Sequence, residues 1–172
     1  MATEKLYLKD DILVLSFSSE LLDQANAGDA TSQFLLGGMY ITGSGVTKDD
    51  AKAIEWYTKA AEQGHAEAQY YLSIILYGGD SHKDRVKAIE WCTSAAEQRH
   101  VEAQSFLGEM YYALNRAHQD YIKSYTWNSI ACANGHDHAR KLIESLSEIM
   151  TPEQILKAQA QAAAIFARIK SN

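Results

Sequence analysis

His65, His100 and His136 lie 35 and 36 residues apart, so a histidine returns at one position of a regular spacing. Imidazole nitrogens are common metal ligands, and three in register suggest a ladder of ligands for a zinc-like ion. The distances argue against it. Equivalent residues of stacked helical units stand roughly 10 Å apart, whereas zinc holds its ligands at about 2 Å. His136 and His138 cannot share one helix face either, because that needs an i, i+3 or i, i+4 pair. Each histidine is therefore expected in the first turn of a helix, solvated or hydrogen-bonded locally, with no metal bound.

Nucleophilic catalysis has no better footing. The chain contains no Gly-x-Ser-x-Gly elbow, no phosphate-cradling P-loop and no Gly-x-Gly-x-x-Gly fingerprint. The paired carboxylates Asp49 and Asp50 are explained by the positive end of a helix starting near Ala51. Cys92 and Cys132 make no disulfide framework and read as small buried hydrophobes. Trp56, Trp91 and Trp127 offer flat faces for a sugar or cofactor, yet each stands beside packing alanines and is expected in the core. The residue types thus point to no enzyme and no cofactor.

The elements that hold these residues follow from the same spacing. Trp56, Trp91 and Trp127 head similar segments, most closely Ala53 to Gly64 and Ala88 to Arg99, with a looser copy from Ser124 to Gly135. A second column runs through Gln33, Gln69, Gln104 and Arg140, so each period holds an earlier unit A and a later unit B. Ala53, Trp56, Tyr57, Ala60 and Ala61 follow i, i+3, i+4, i+7, i+8, and Ala30, Gln33, Leu36, Gly37 and Tyr40 do the same, which is helical periodicity. All ten glycines fall between Gly28 and Gly135, and Gly28, Gly64 and Gly135 mark the ends of B helices. Arg99 stands where the junction between Gly64 and Gly135 wants glycine, a strain of about 1 kcal/mol or a different turn. Gly37, Ser73 and Gly108 recur where A would cross B, and Glu144 breaks that column.

At 172 residues, with 16 Lys and Arg against 22 Asp and Glu, the chain is one ordinary domain of net charge −6. That charge excludes a general nucleic-acid binder, which needs a basic face, and a partner of anionic membranes. No stretch nears the roughly 20 apolar residues of a membrane span, and Ile12 to Leu15 lacks a cleavage pattern, so the chain reads as cytoplasmic.

The Ala-x-x-Gln-x-x-Leu-Gly-x-x-Tyr of Ala30 to Tyr40, the Gly43-Ser44-Gly45-Val46 loop and the Lys-Ala-x-x-Trp-Tyr-x-Lys-Ala-Ala-Glu-Gln-Gly of Lys52 to Gly64 resemble the Sel-one-like repeat (SLR), a branch of the tetratricopeptide-type solenoids. The resemblance runs from Ala27 to Ile149: three repeats, the third with Ala113 to Gln119 in place of the glycine loop, and helix A of a fourth. Tyr40 and Tyr111 hold the family tyrosine, and Leu76 replaces it in repeat two. The resemblance implies an all-α, right-handed α/α superhelix whose A helices line a concave groove. It implies a protein-binding adaptor or, among short bacterial relatives, an immunity protein neutralising a cognate toxin. Relatives linked to β-lactam hydrolysis carry cysteines in every repeat, a pattern missing here.

Terminal units must cover the open ends of a solenoid. Residues 1–26 read as an arm and a short helix starting at Ser19-Glu20, residues 27–149 as the solenoid, and residues 150–172 as a capping helix. Lys5 to Phe17 fits a hairpin around Lys9-Asp10-Asp11 or an extended arm that exchanges between two copies, giving a monomer or a weak homodimer. Thr151-Pro152-Glu153-Gln154 is a capping-box start, and Ile155, Ala158, Ala162, Ile165, Phe166 and Ile169 form a stripe expected to close helix A of the fourth unit.

One set of A-helix positions is left over by the packing columns. Thr31, Leu35 and Gly38, then Glu67, Tyr71 and Ile74, then Glu102, Phe106 and Glu109, then His138, Leu142 and Ser145 follow i, i+4, i+7 on a second face. Its central ladder, Leu35, Tyr71, Phe106 and Leu142, is apolar and partly aromatic with Glu67, Glu102 and Glu109 beside it, the make-up of a protein-binding surface. Thr31, Leu35, Glu67, Tyr71, Ile74, Glu102, Phe106, Glu109 and Leu142 are the expected partner contacts, and the alternative is that a neighbouring helix or the arm covers them. Residues 1–86 carry the whole excess of negative charge and residues 87–172 none, so the expected partner is basic, a toxin or an effector.

Overall fold

The computed structural model describes residues 7–9, 12–14, 18–79, 81–114 and 118–171. The chain divides into two compact units, Met1–Ile75 and Leu76–Asn172. Among the described residues no helix is long and apolar enough to cross a membrane.

The first unit opens on a two-stranded antiparallel hairpin, β1 (Tyr7–Lys9) and β2 (Ile12–Val14), with Lys9 opposite Ile12, so the hairpin reading of the arm is the one adopted. The side chains of residues 1–17, and any exchange of the arm, lie outside the described residues. Then come α1 (Ser19–Asn26), α2 (Ala30–Thr42), α3 (Asp50–Glu62) and α4 (Ala66–Tyr77), whose last turn runs past the unit boundary. Helix α1 packs on α2, and α2 on α3. Ala25, Leu36, Met39 and Trp56 form the core between them, with Leu21, Leu22, Tyr40 and Val46 at its edge.

The second unit holds α5 (His82–Glu97), α6 (Val101–Leu114), α7 (His118–Ala133), α8 (Asp137–Ile149) and α9 (Pro152–Ser171). The Asn115–Ala117 part of the loop that replaces the glycine loop lies outside the described residues. Ile122, Tyr125, Leu146, Met150 and Ala158 build its core cluster. Trp127, like Trp56, is buried, and Trp91 is half-buried.

Each B-to-A junction is built the same way. Gly28, Gly64, Arg99 and Gly135 all take positive φ, 101°, 87°, 70° and 96°. Their amides and the next ones return to the ending helix, as in Gly64 N to the Ala61 carbonyl and His65 N to the Ala60 carbonyl, which closes it in a Schellman motif. The residue that completes this closure also opens the next helix: Nδ1 of His65 accepts from Ala68 N at 3.3 Å and Nδ1 of His100 from Ala103 N at 3.2 Å. Asp29 does the same at α2, accepting from Ser32 N at 2.7 Å. His65 and His100 are therefore helix N-caps, whereas His136, at the start of α8, makes no side-chain capping bond, and its buried Nδ1 has no hydrogen-bond partner among the described residues.

The glutamine column ties consecutive helices. Nε2 of Gln33, Gln69 and Gln104 donates to the carbonyls of Ala25, Ala61 and Ala96, each at 3.0 Å. Arg140, the fourth member, is exposed. Where A crosses B, a Cβ on Gly37 would meet the Tyr57 ring at 2.6 Å, and one on Gly108 would overlap the Asn128 amide.

Helix α9 starts as the sequence indicates, with Thr151 N donating to Gln154 Oε1 at 2.9 Å and Gln154 N to Thr151 Oγ1 at 3.3 Å. Its apolar stripe, however, lies chiefly against α7 and not against α8. Ala158 and Ala162, both buried, let the two backbones approach, and Thr126 Oγ1 donates across to the Ala158 carbonyl at 3.2 Å. Helix α9 thus covers the B helix of repeat three, and α8 joins through Leu146 and Met150.

Candidate functional site

The leftover face of the A helices is split between the two units. Thr31, Leu35, Glu67, Tyr71 and Ile74 belong to the first, and Glu102, Phe106, Glu109 and Leu142 to the second.

In the first unit the packing side of α2 sinks Gln33, Leu36 and Gly37 inward, and α4 sinks Ala68, Gln69, Leu72 and Ser73. The helical period then turns Thr31, Glu67, Tyr71 and Ile74 outward. Thr31 and Glu67 are exposed, Leu35 is half-buried, and Tyr71 and Ile74 keep 44% and 36% of their surface in solvent. The Tyr71 ring is not loose. It lies parallel to Tyr57 with centroids 5.9 Å apart and planes at 13°, tilts against Phe34 at 5.8 Å and meets the edge of Tyr70 at 5.5 Å. Phe34 stacks on the His65 imidazole at 4.9 Å, and Glu67 brings a carboxylate oxygen to 3.4 Å from His65 Nδ1. An exposed aromatic patch with one carboxylate at its edge is the result.

In the second unit Phe106 is half-buried and meets Tyr77 edge-on at 5.7 Å, with Glu102 and Glu109 exposed on the same helix. Glu102 Oε2 lies 3.4 Å from His100 Nδ1, repeating the Glu67–His65 pairing one period on. Leu142 is half-buried against the Ile122–Tyr125–Leu146 cluster, so part of its surface belongs to the core. Tyr112, 37% exposed and 6.2 Å from the Tyr121 ring, is a solvent-facing aromatic that the i, i+4, i+7 stripe omits. Phe34, Tyr57 and Tyr70 are likewise absent from the stripe. They support Tyr71 from neighbouring positions, and only the adjacency of aromatic residues in the sequence hints at it.

Acid–base chemistry finds little here. Burial, with Tyr71 adding to it, pushes the Tyr57 phenol up to about 12, and burial also raises Tyr111, so neither hydroxyl trades protons near neutral pH. Among the described residues no three His, Cys, Asp or Glu gather as a metal site. An apolar recess of about 160 Å³, lined by Ser129, Ile130, Ala133, Ala162, Ala163 and Phe166, opens between α7 and α9 and contains none of the candidate contact residues of the A helices.

Three Sel1 repeats match the chain, over residues 30–65, 66–100 and 101–136. The crystal structure of a Sel1 repeat protein from Oxalobacter formigenes is similar at 30% identity and a TM-score of 0.61, over 73% of this chain and 96% of that one. A protective antigen with an SLR fold from uropathogenic Escherichia coli shares 21% identity over 88% of this chain and 50% of its own; at a TM-score of 0.36 that likeness supports no further reading. No curated protein matches the sequence.

Proposed function

The chain belongs to the Sel1 repeat family, an all-α solenoid of helix hairpins whose members are generally protein-interaction modules, and from that premise we propose that it is a non-catalytic adaptor or inhibitor. Its partner docks on the outward stripe of the A helices, through Thr31, Leu35, Glu67, Tyr71, Ile74, Glu102, Phe106, Glu109 and Leu142.

The observation that carries this reading is the exposure of Tyr71 and Ile74 on a helix whose Leu72 is almost fully buried. A helix that hides its core residues this well and still leaves a tyrosine and an isoleucine in water one turn apart has a second face to cover. Aromatic anchors with carboxylates at the rim suit a protein partner better than a small ligand, which takes an enclosed cavity.

The acidic first unit favours an inhibitory role against a basic, phosphate-directed toxin over a general adaptor role. Co-expression with toxins encoded nearby tests that form; failure to bind or rescue any of them leaves the adaptor. For the surface itself, Tyr71→Ala and Phe106→Glu are expected to lose the captured native partner while their helical circular dichroism matches the parent chain. Full retention of the partner by both variants would sink the proposal.

A further inference from the structure

We propose that the Tyr71 patch of the first unit is a guanidinium site: an arginine of a basic partner segment lies on the Tyr71 ring with its fork toward the Glu67 carboxylate. This rests on the reading of the A-helix stripe as the docking face and names the chemistry that one part of it recognises.

Three observations converge on arginine. The Tyr71 ring is held before any ligand arrives, parallel to Tyr57 at 5.9 Å and braced by Phe34 and Tyr70, while 44% of the residue's surface stays in solvent. A preorganised ring loses little freedom when a flat cation settles on it. Glu67 stands one helical turn before Tyr71 at i, i+4, which puts carboxylate and ring side by side on the same face. Among the described residues no lysine or arginine pairs with Glu67; its neighbour is His65, whose Nδ1 already accepts the Ala68 amide.

The net charge around the patch is negative. Helices α2 and α4 contain no lysine or arginine, and Glu67 is their sole charged residue. Residues 1–75 carry 5 Lys and Arg against 11 Asp and Glu, a net of −6, equal to the charge of the whole chain. An apolar segment covering Tyr71 would strip water from Glu67 and give nothing back. A guanidinium satisfies both groups at once, stacking on the ring and bonding the carboxylate, whereas an ammonium is a point charge that holds its water more tightly.

The test uses the full chain and a short, flexible, fluorescently labelled peptide bearing three arginines, read by anisotropy at low salt. Its analogues carry lysine, or citrulline, which keeps the shape of arginine without the charge. The arginine peptide is expected to bind, the lysine peptide several-fold more weakly, and the citrulline peptide not measurably. Tyr71→Ala should cost about tenfold or more and Glu67→Gln several-fold with a shallower salt dependence, while Tyr71→Phe and Tyr112→Ala bind as the parent does. Tyr71→Phe keeps the ring, so it separates loss of stacking from loss of fold. Equal binding of the arginine and citrulline peptides, or full binding by both Tyr71→Ala and Glu67→Gln, overturns the proposal. If native-partner capture depends on Tyr71 and Phe106 while the arginine peptide fails to bind, the docking face stands and the guanidinium site falls.

Discussion

Tyr57 shows how much one side chain is asked to do. It fills the space that Gly37 leaves, supports the Tyr71 ring and is only 3% exposed, and that burial pushes its phenol up to about 12. An acid whose folded pKa lies above its ordinary value of 10 keeps its proton in the native state after the unfolded chain has lost it. Its contribution is therefore intact below pH 10 and is lost as pH rises from 10 toward 12, by at most about 2–3 kcal/mol. Urea denaturation is expected to show the parent chain losing stability relative to Tyr57→Phe across that interval, and parallel curves would refute it. Arg99 supplies the opposite case, a residue the fold tolerates at a cost. Its φ of 70° at a position where Gly28, Gly64 and Gly135 also turn left-handed predicts that Arg99→Gly raises stability by up to about 1 kcal/mol, read as a higher urea midpoint at unchanged slope. That strain was legible in the sequence because glycine fills the same column three times out of four. The capping role of His65 and His100 was less legible. Their place in a first turn follows from spacing, but the acceptor role of Nδ1 does not, and the one clue was Asp29, a common N-cap residue, heading the same column.

Between elements, the closest fit is the crossing of α2 and α3. A Cβ at position 37 would stand 2.6 Å from the Tyr57 ring, so Gly37→Ala should destabilise by about 1–3 kcal/mol, measured by thermal or urea unfolding. The repeat itself names the remedy. The residues in register with Gly37 and Tyr57 one period on are Ser73 and Cys92, a larger residue on A and a smaller one on B. Gly37→Ala combined with Tyr57→Cys should therefore cost less than the sum of the two single changes, and additive costs would mean that the columns do not trade volume. The period also explains why the helices and their ends could be read so far ahead: positions that repeat must satisfy the same packing each time. The docking of α9 breaks that logic. Its stripe announces which face is buried but not which helix covers it, and Ala158 and Ala162 found α7, through the hydroxyl of Thr126, where the stripe alone suggested α8. The candidate surface is legible to the same partial degree. Tyr71 emerges from the i, i+4, i+7 rule, but its braces Phe34 and Tyr70 come from other positions of the two helices, and Leu142, on the rule, turns part of its surface to the core.

At the scale of the whole molecule, the division of charge follows the division of the fold. Residues 1–75 hold the entire net −6, and residues 76–172 hold 11 Lys and Arg against 11 Asp and Glu. A field of that kind acts on encounter more than on the final complex, because it reaches a partner across solvent before any contact forms and is screened within about 10 Å at 0.1 M salt. The association rate with the native partner is accordingly expected to fall as salt is added, while the dissociation rate changes little. Charge reversal separates this from a general salt effect. Asp23 and Glu62 are exposed in the first unit, as Glu90 and Glu148 are in the second. The pair Asp23→Lys and Glu62→Lys should slow association several-fold and flatten its salt dependence, whereas Glu90→Lys with Glu148→Lys should change it far less, although both pairs alter the net charge of the chain equally. Rates that respond alike to the two pairs would assign the effect to net charge alone. Rates indifferent to salt would remove the electrostatic steering and leave recognition to the aromatic face around Tyr71.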